Sequence, residues 1–300
     1  MAASAVEVSS VSKFYGDVEV VGGISFEVAR GEVFGLIGPN GAGKTTIIRM
    51  LLDIIKPDRG EVKVLGEGLR EGTKNLIGYL PEERGLYRKL SVAETFSYFA
   101  SLKNVDRKLA EERAAWFLNR VGYSAHKHKK IEELSRGMGQ IVQFLVTIVH
   151  APELVVLDEP FAGLDPVNTK LIKELILEMK QEGGTILLST HMMNEVEELC
   201  DRILMINKGQ TVLYGELAEI KSRYRKNSVF VEVEGELGQV EGVVRTQDHG
   251  SHQELFLDGK TSPQKILATL VNGNVMVSRF EVSTPPLSEI FVRVVESRSE

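Results

Sequence analysis

From Val6 to Val33 apolar and polar residues alternate in short runs, interrupted at Tyr15-Gly16-Asp17 and Arg30-Gly31-Glu32. Period-two alternation of this kind predicts strands with one buried face. Val18 to Val28 is expected to supply two antiparallel strands around Gly22-Gly23. Other runs are largely apolar, Val33 to Ile37, Ile77 to Leu80 and Leu154 to Leu157, and Thr185 to Ser189 is a further expected strand. Strands covered on both faces, as at the centre of a parallel sheet, read this way. Between them the spacing turns helical. Ile47, Met50, Leu51 and Ile54 recur along one face, and helical patterns dominate from Ser91 to Val149. Ser91-Val92-Ala93-Glu94 is a capping box that starts one of these helices. A second is expected over Arg107 to Val121 with Ala110, Ala114, Phe117 and Val121 on its buried face, and a third carries Ile141, Phe144, Leu145 and Ile148. Lys170 to Lys180 is amphipathic and ends at Gly183-Gly184, and a further helix runs on through Cys200 to strands near 202–207 and 211–214.

The pattern changes at the basic stretch Lys221-Ser222-Arg223-Tyr224-Arg225-Lys226. Beyond it the chain reads strand (from Val229), strand (Gly242 to Arg245), strand (Glu254 to Leu257), helix (Pro263 to Val271), strand (Val275 to Val282), helix (Leu287 to Glu296). That is a small α+β domain without a catalytic constellation, suited to dimerisation, regulation or docking. Three segments are therefore expected: a larger α/β domain over 1–220 with a helical part at about 82–150, a linker at 221–227, and the α+β domain at 228–300.

Composition narrows the function. With 300 residues the chain is long enough for two cored domains, and 43% apolar with 26% charged residues is ordinary for a globular protein. A net charge of −6 argues against a nucleic-acid binder that works by bulk electrostatics. Cys200 is the only cysteine, so no intrachain disulfide is possible. No apolar run approaches the ~18 residues of a membrane-spanning helix, and the first ten residues lack the basic flank and apolar core of a signal peptide. The His126-Lys127-His128-Lys129-Lys130 run reads as a solvated loop, since no second cluster pairs with it for metal or phosphate.

The most informative stretch is GPNGAGKTT, Gly38 to Thr46, between a buried strand and a helix. It contains G-x-x-x-x-G-K-[ST] as Gly38, Gly43, Lys44 and Thr45, in the strand–loop–helix context that makes the pattern a phosphate-binding loop. Glycines let backbone N–H groups converge on polyphosphate oxygens, and the helix N-terminus adds a favourable dipole. The Lys44 ammonium would neutralise the β- and γ-phosphates, and the Thr45 hydroxyl would hold Mg²⁺. A nucleoside triphosphate is the expected ligand. Farther on, the apolar run from Leu154 ends in Asp158-Glu159, where ligands of parallel sheets bind beyond the strands' carboxyl ends.

Together these motifs resemble the ATP-binding cassette (ABC) ATPases over about residues 5 to 220. The selective part is their order: LSRGMGQ at Leu134 to Gln140, then Asp158-Glu159-Pro160, Ala162-Gly163-Leu164-Asp165, and His191. The resemblance implies a P-loop NTPase fold with a mostly parallel core sheet, an antiparallel β subdomain and a helical subdomain. It implies catalytic roles for Lys44, Glu159 and His191, with Glu159 polarising the attacking water and His191 reaching the γ-phosphate. ATP would lie on Gly38, Pro39, Asn40, Gly41, Ala42, Gly43, Lys44, Thr45 and Thr46, with Tyr15 stacked on adenine. Thr45, Asp158 and Glu82 would hold Mg²⁺. Ser135 and Gly137 would contact the γ-phosphate of the opposite cassette, with Asp165 at the subunit interface, so two cassettes would close head-to-tail around two ATP molecules.

Three positions depart from the family pattern. Glu82 stands where a glutamine is usual, and Arg136 and Met138 replace commoner small or amide residues. YLPEERGLY and LSRGMGQ resemble the ATPases of ABC-2-type exporters, including drug and sodium-extrusion systems, and PPLSEIFVRVVE resembles their C-terminal accessory domain. The implied partners are a second cassette, in a homodimer or a heterodimer, and a separate transmembrane permease, with no nucleic acid. The implied location is the cytoplasmic face of the membrane. The alternative is a soluble ABC ATPase acting on ribosomes or nucleic acid. Such relatives usually carry two cassettes or a long coiled-coil insertion, whereas this chain has one cassette and no heptad run. An inactive regulatory cassette is disfavoured by the presence of Lys44, Asp158, Glu159 and His191.

Overall fold

The computed structural model describes residues 4–297 apart from Glu67, Leu69, Arg84 and Glu236. Arg84 of the YLPEERGLY run and the outermost residues of the expected domain ranges thus lie outside the described residues. The chain forms two compact units, Met1–Leu217 and Ala218–Glu300.

In the first unit, β1 (Ser4–Tyr15) and β2 (Val18–Ala29) form a long antiparallel hairpin. β3 (Val33–Ile37) is buried along its whole length and feeds the glycine loop and α1 (Lys44–Leu51). β4 (Arg59–Val64) returns to pair with β1, so the antiparallel sheet has the order β2-β1-β4. Short α2 (Glu71–Lys74) and β5 (Ile77–Leu80) precede the helical part, α3 (Val92–Ser101), α4 (Arg107–Arg120) and α5 (Arg136–Ile148). The chain then returns as β6 (Leu154–Asp158), α6 (Pro166–Gln181), β7 (Thr185–Thr190), α7 (Met193–Leu199), β8 (Arg202–Asn207) and β9 (Gln210–Glu216). The second sheet has the order β5-β6-β7-β3-β8-β9, parallel except for β9.

Packing fixes the helix that follows the loop after β3. Val6, Val8, Val21 and Phe26 of the antiparallel sheet and Phe34, Leu36, Val156 and Leu204 of the parallel sheet belong to one core, joined by Ile47, Ile48 and Leu51 of α1. Phe26 and Phe34 stack across the two sheets with ring centroids 5.4 Å apart. Helix α1 is thus held by apolar burial on both sides, and its first residue is Lys44.

Three sequence expectations change. β2 is one strand, not two. Gly22 N–H donates to Gly209 O (2.9 Å) and Gly23 N–H to the Ser12 hydroxyl (2.9 Å), so the glycines bend the strand within its ladder and do not reverse it. On α4 the buried positions are Ala110, Ala114 and Leu118, with Phe117 only half-buried, because the face packed against α3 follows an i, i+4, i+8 row. The 126–130 run does more than sit in solvent: Lys129 and Lys127 carbonyls accept from the Val92 and Ala93 N–H groups, each at 2.9 Å. It satisfies the first turn of α3, beside the Ser91–Glu94 capping box.

The second unit begins with α8 (Leu217–Arg223) at the boundary, so Lys221, Ser222 and Arg223 of the expected linker are helical. β10 (Ser228–Glu234), β11 (Val243–Asp248), β12 (Gln253–Leu257) and β13 (Met276–Val282) form an antiparallel sheet of order β11-β12-β10-β13. Val229, Val231, Leu255 and Leu257 pack on Ile266 and Leu270 of α9 (Pro263–Asn272). The unit ends with α10 (Leu287–Ser297). Among the described residues, no helix is long and apolar enough to cross a membrane.

Candidate active site

The parallel register brings the chemistry to one edge. Ile37 pairs with Thr190, Asp158 with Ser189 and Leu80 with Leu157, so β3, β5, β6 and β7 end level with one another. The glycine loop, Glu82, Glu159 and His191 each follow one of these ends. A cavity of about 280 Å³ lies there, lined by Val20, Asn40 to Thr46, Glu82 and Glu159.

The loop conformation demands its glycines. Gly43, the N-cap of α1, has φ 108°, and a Cβ on Gly38 would lie 2.3 Å from the Ile206 carbonyl oxygen. Lys44 Nζ donates to the Gly38 carbonyl (2.8 Å) and the Pro39 carbonyl (3.4 Å), and it pairs with Glu159 Oε1 at 3.2 Å. The other Glu159 oxygen, Oε2, lies 3.0 Å from His191 Nδ1. Glu159 itself has φ 49°, left-handed backbone that costs a residue with a Cβ about 1–2 kcal/mol.

Asp158 is 1% exposed, and among the described residues its Oδ2 has no hydrogen-bond partner. Its Oδ1 accepts from the Ser189 hydroxyl at 2.5 Å. Burial pushes the Asp158 carboxyl above the usual carboxylate range, and the charge of Glu159 adds to the rise. The Ser189 and Thr45 hydroxyls and the Lys44 ammonium pull against it. A buried carboxylate with an orphaned oxygen and a neighbouring hydroxyl is a hard-oxygen set suited to Mg²⁺. Thr45, Asp158 and the cavity-lining Glu82 therefore fit that ion.

Other expected residues lie elsewhere. Tyr15 sits at the end of β1, 48% exposed, with the Lys13 ammonium 6.0 Å from its ring centre, and it does not line the cavity. Ser135, Gly137 and Asp165 form a separate group at two helix starts. Ser135 caps α5 by accepting from Met138 N–H at 3.2 Å, and Asp165 caps α6 by accepting from Val167 and Asn168 N–H, each at 3.0 Å. These N–H groups hold the Asp165 carboxyl below the usual range, the Asn168 amide foremost. A Cβ on Gly137 would lie 2.7 Å from Asn168 Nδ2, so the two caps are neighbours. The guanidinium of Arg136 lies against Gly163.

Helix α5 connects the two groups. Gln140 Nε2 donates to the Pro160 carbonyl at 3.0 Å, and Gln143 Nε2 to the Glu83 carbonyl at 3.3 Å. Sequence reasoning cited Gln140 only as the end of LSRGMGQ and gave no role to Gln143 or Ser189. Their signal was present: polar residues inside an apolar helix pattern, and a Ser-Thr pair closing a buried strand just before His191.

Known proteins are similar to this chain in sequence and in fold. A model of the ABC transporter family matches residues 21–162, and one described as the ATP-binding protein DrrA1-3-like C-terminal domain matches 215–295. An uncharacterized ABC transporter ATP-binding protein of Bacillus subtilis (strain 168) is 38% identical over 291 residues, covering 96% of this chain and 97% of the relative. The linearmycin resistance ATP-binding protein of the same organism is 30% identical over 303 residues, covering 96% and 97%. A solved ATP-binding subunit of an ABC transporter superposes with a TM-score of 0.68 at 31% identity, covering 73% of this chain and 93% of that one.

Proposed function

This chain belongs to the ABC transporter family of ATPases, and from that premise we propose that it energises an ABC-2-type exporter through a separate membrane subunit. It is an ATPase and the ATP-binding subunit of a transporter. The exporter reading is supported by the match of residues 215–295 to the DrrA1-3-like domain and by likeness to a drug-resistance ATP-binding protein. In this reading residues 1–220 are the cassette, with its helical subdomain at about 82–150. Residues 221–227 connect it to the accessory domain at 228–300. The chain works peripherally on the cytoplasmic face of the membrane, held there by its permease.

The observation that carries the reading is the convergence of Lys44, Asp158, Glu159 and His191 at the level ends of β3, β6 and β7. The loop N–H groups and the start of α1 bind the ATP polyphosphate. Its terminal phosphate replaces Glu159 as the partner of Lys44. Glu159 then turns its freed Oε1 to the attacking water and accepts that water's proton, while His191 holds the other oxygen and reaches the γ-phosphate. Thr45, Asp158 and Glu82 would hold Mg²⁺, which supplies charge neutralisation at the phosphates. Tyr15 stacks on adenine. Ser135 and Gly137, at the N-terminus of α5, complete the site of a second cassette across a head-to-tail dimer, with Asp165 beside them. Gln140 and Gln143 pass closure along α5 to the turn at Pro160 and the segment at Glu82-Glu83.

The test is Glu159→Gln, which keeps shape but loses the charge that activates water. It is expected to bind ATP, fail to turn it over, and accumulate as a dimer in light scattering. Adding Ser135→Arg is expected to abolish that dimer. An ATP-loaded Glu159→Gln protein that stays monomeric at high concentration, even with its membrane partner, overturns the head-to-tail mechanism. Co-purification with a membrane protein, and the direction of transport in vesicles containing both, tests the exporter assignment.

A further inference from the structure

We propose that Ser189 is a positioning residue for hydrolysis, one hydroxyl that fixes both the Asp158 carboxylate and the backbone of Glu159. The proposal rests on the reading of Asp158 as a metal-holding residue and Glu159 as the water-activating one. Ser189 is fully buried at the end of β7, directly paired with Asp158 in the sheet register. Its Oγ lies 2.5 Å from Asp158 Oδ1 and 3.2 Å from Glu159 N. A carboxylate oxygen can only accept and an amide can only donate, so the direction of both bonds is set. The hydroxyl gives its proton to Asp158 and receives the N–H of Glu159.

Each bond has a consequence. At Asp158 it leaves Oδ2 as the oxygen without a partner, so the carboxylate is held with one oxygen committed and the other available. At Glu159 it works with the Ser189 carbonyl, which accepts the same N–H at 3.1 Å, to anchor a residue whose φ is 49°. Left-handed backbone at a non-glycine residue persists where surrounding contacts over-determine it. The Glu159 side chain is tied at Oε1 to Lys44 and at Oε2 to His191. The phosphate competes for Lys44, and His191 is shared with the γ-phosphate. The Ser189 anchor is shared with neither. The adjacent Thr190 hydroxyl is engaged elsewhere, accepting from Met192 N–H at 3.0 Å at the start of α7.

The experiment compares the full chain with Ser189→Ala. Four measurements are made: steady-state hydrolysis, thermal unfolding, metal-free ATP affinity, and Mn²⁺ affinity by electron paramagnetic resonance with ATP bound, the last in a Glu159→Gln background that prevents turnover. The expected result is a kcat lower by about tenfold or more with KM for ATP little changed, the size of one lost charge-assisted hydrogen bond. Mn²⁺ binding weakens about fivefold or more, while metal-free ATP affinity and melting temperature stay close to the parent values. Unchanged kcat and Mn²⁺ affinity overturn the proposal, as does a lowered melting temperature with Mn²⁺ affinity intact. If the alanine chain does not fold, Ser189→Cys, similar in shape and a weak donor, carries the same measurements. A Glu159→Gln single variant that still hydrolyses ATP overturns the underlying reading of Glu159, which separates that failure from a failure of the Ser189 proposal.

Discussion

The Lys44 ammonium and the Glu159 carboxylate form an ion pair at 3.2 Å, with each side chain only 7% exposed. It joins the first turn of α1 to the residue just past β6 inside the nucleotide cavity. Removing one member strands the other charge in a nearly buried position. Lys44→Ala is therefore expected to abolish hydrolysis, weaken MgATP binding sharply, and lower stability by about 1–3 kcal/mol in urea unfolding. Adding Glu159→Gln to the same chain is expected to recover part of that stability and none of the activity. Equal stability of Lys44→Ala and the parent would mean the pair does not hold in solution.

Glu82 lines the cavity beside Thr45 and Glu159. In the proposed reading it is a metal-proximal carboxylate and would set how much Mg²⁺ the site needs. Glu82→Gln is expected to shift the Mg²⁺ concentration for half-maximal hydrolysis by about twofold or more. An unchanged Mg²⁺ curve with altered coupling to the membrane partner reassigns Glu82 to a mechanical contact.

Tyr15 presents its ring at the end of β1, outside the phosphate cavity. A stacking role predicts that Tyr15→Ala weakens ATP binding by roughly 1 kcal/mol, about fivefold, and leaves pyrophosphate binding unaltered. A titration showing parent-like ATP affinity removes Tyr15 from the site.

His150 follows α5 and places Nε2 3.2 Å from the Ile77 carbonyl. Its pKa is lowered to about 4, by burial foremost and also by the Lys103 and Arg113 charges, with the Ile77 carbonyl opposing them. Its unfolded-state value is 6.5, so the unfolded chain binds the proton more strongly between these values. Stability contributed by the neutral ring is whole above pH 6.5 and declines as pH falls toward 4. His150→Asn is expected to flatten this part of the stability curve in urea unfolding at pH 7 and pH 5. A variant with the same pH slope as the parent assigns the acid sensitivity to other groups.

Local features could be read without the structure because they depend on near neighbours in the chain. Gly38 to Thr46 is contiguous, so its backbone chemistry and the helix after it follow from residue type and spacing. The Ser91–Glu94 capping box forms within one turn. Apolar runs marked β3 and β6 as strands covered on both faces. The final α+β segment was legible for the same reason, its strands and helices each carrying their own period.

What only the tertiary structure decided is relative position. The register Ile37–Thr190 and Asp158–Ser189 brings the glycine loop, the two acids and His191 to one edge, and periodicity carries no information about register between distant strands. Ser189 gains its meaning only there, as a neighbour of Asp158 from another strand. Gly22 and Gly23 look like a turn in sequence, yet their N–H bonds to the Gly209 carbonyl and the Ser12 hydroxyl hold them inside one strand. Leu118 displaces Phe117 from the buried face of α4 because packing against α3 selects the row. Hydrophobic pattern specifies which face of an element is buried, but the contact that buries it is chosen by the rest of the fold.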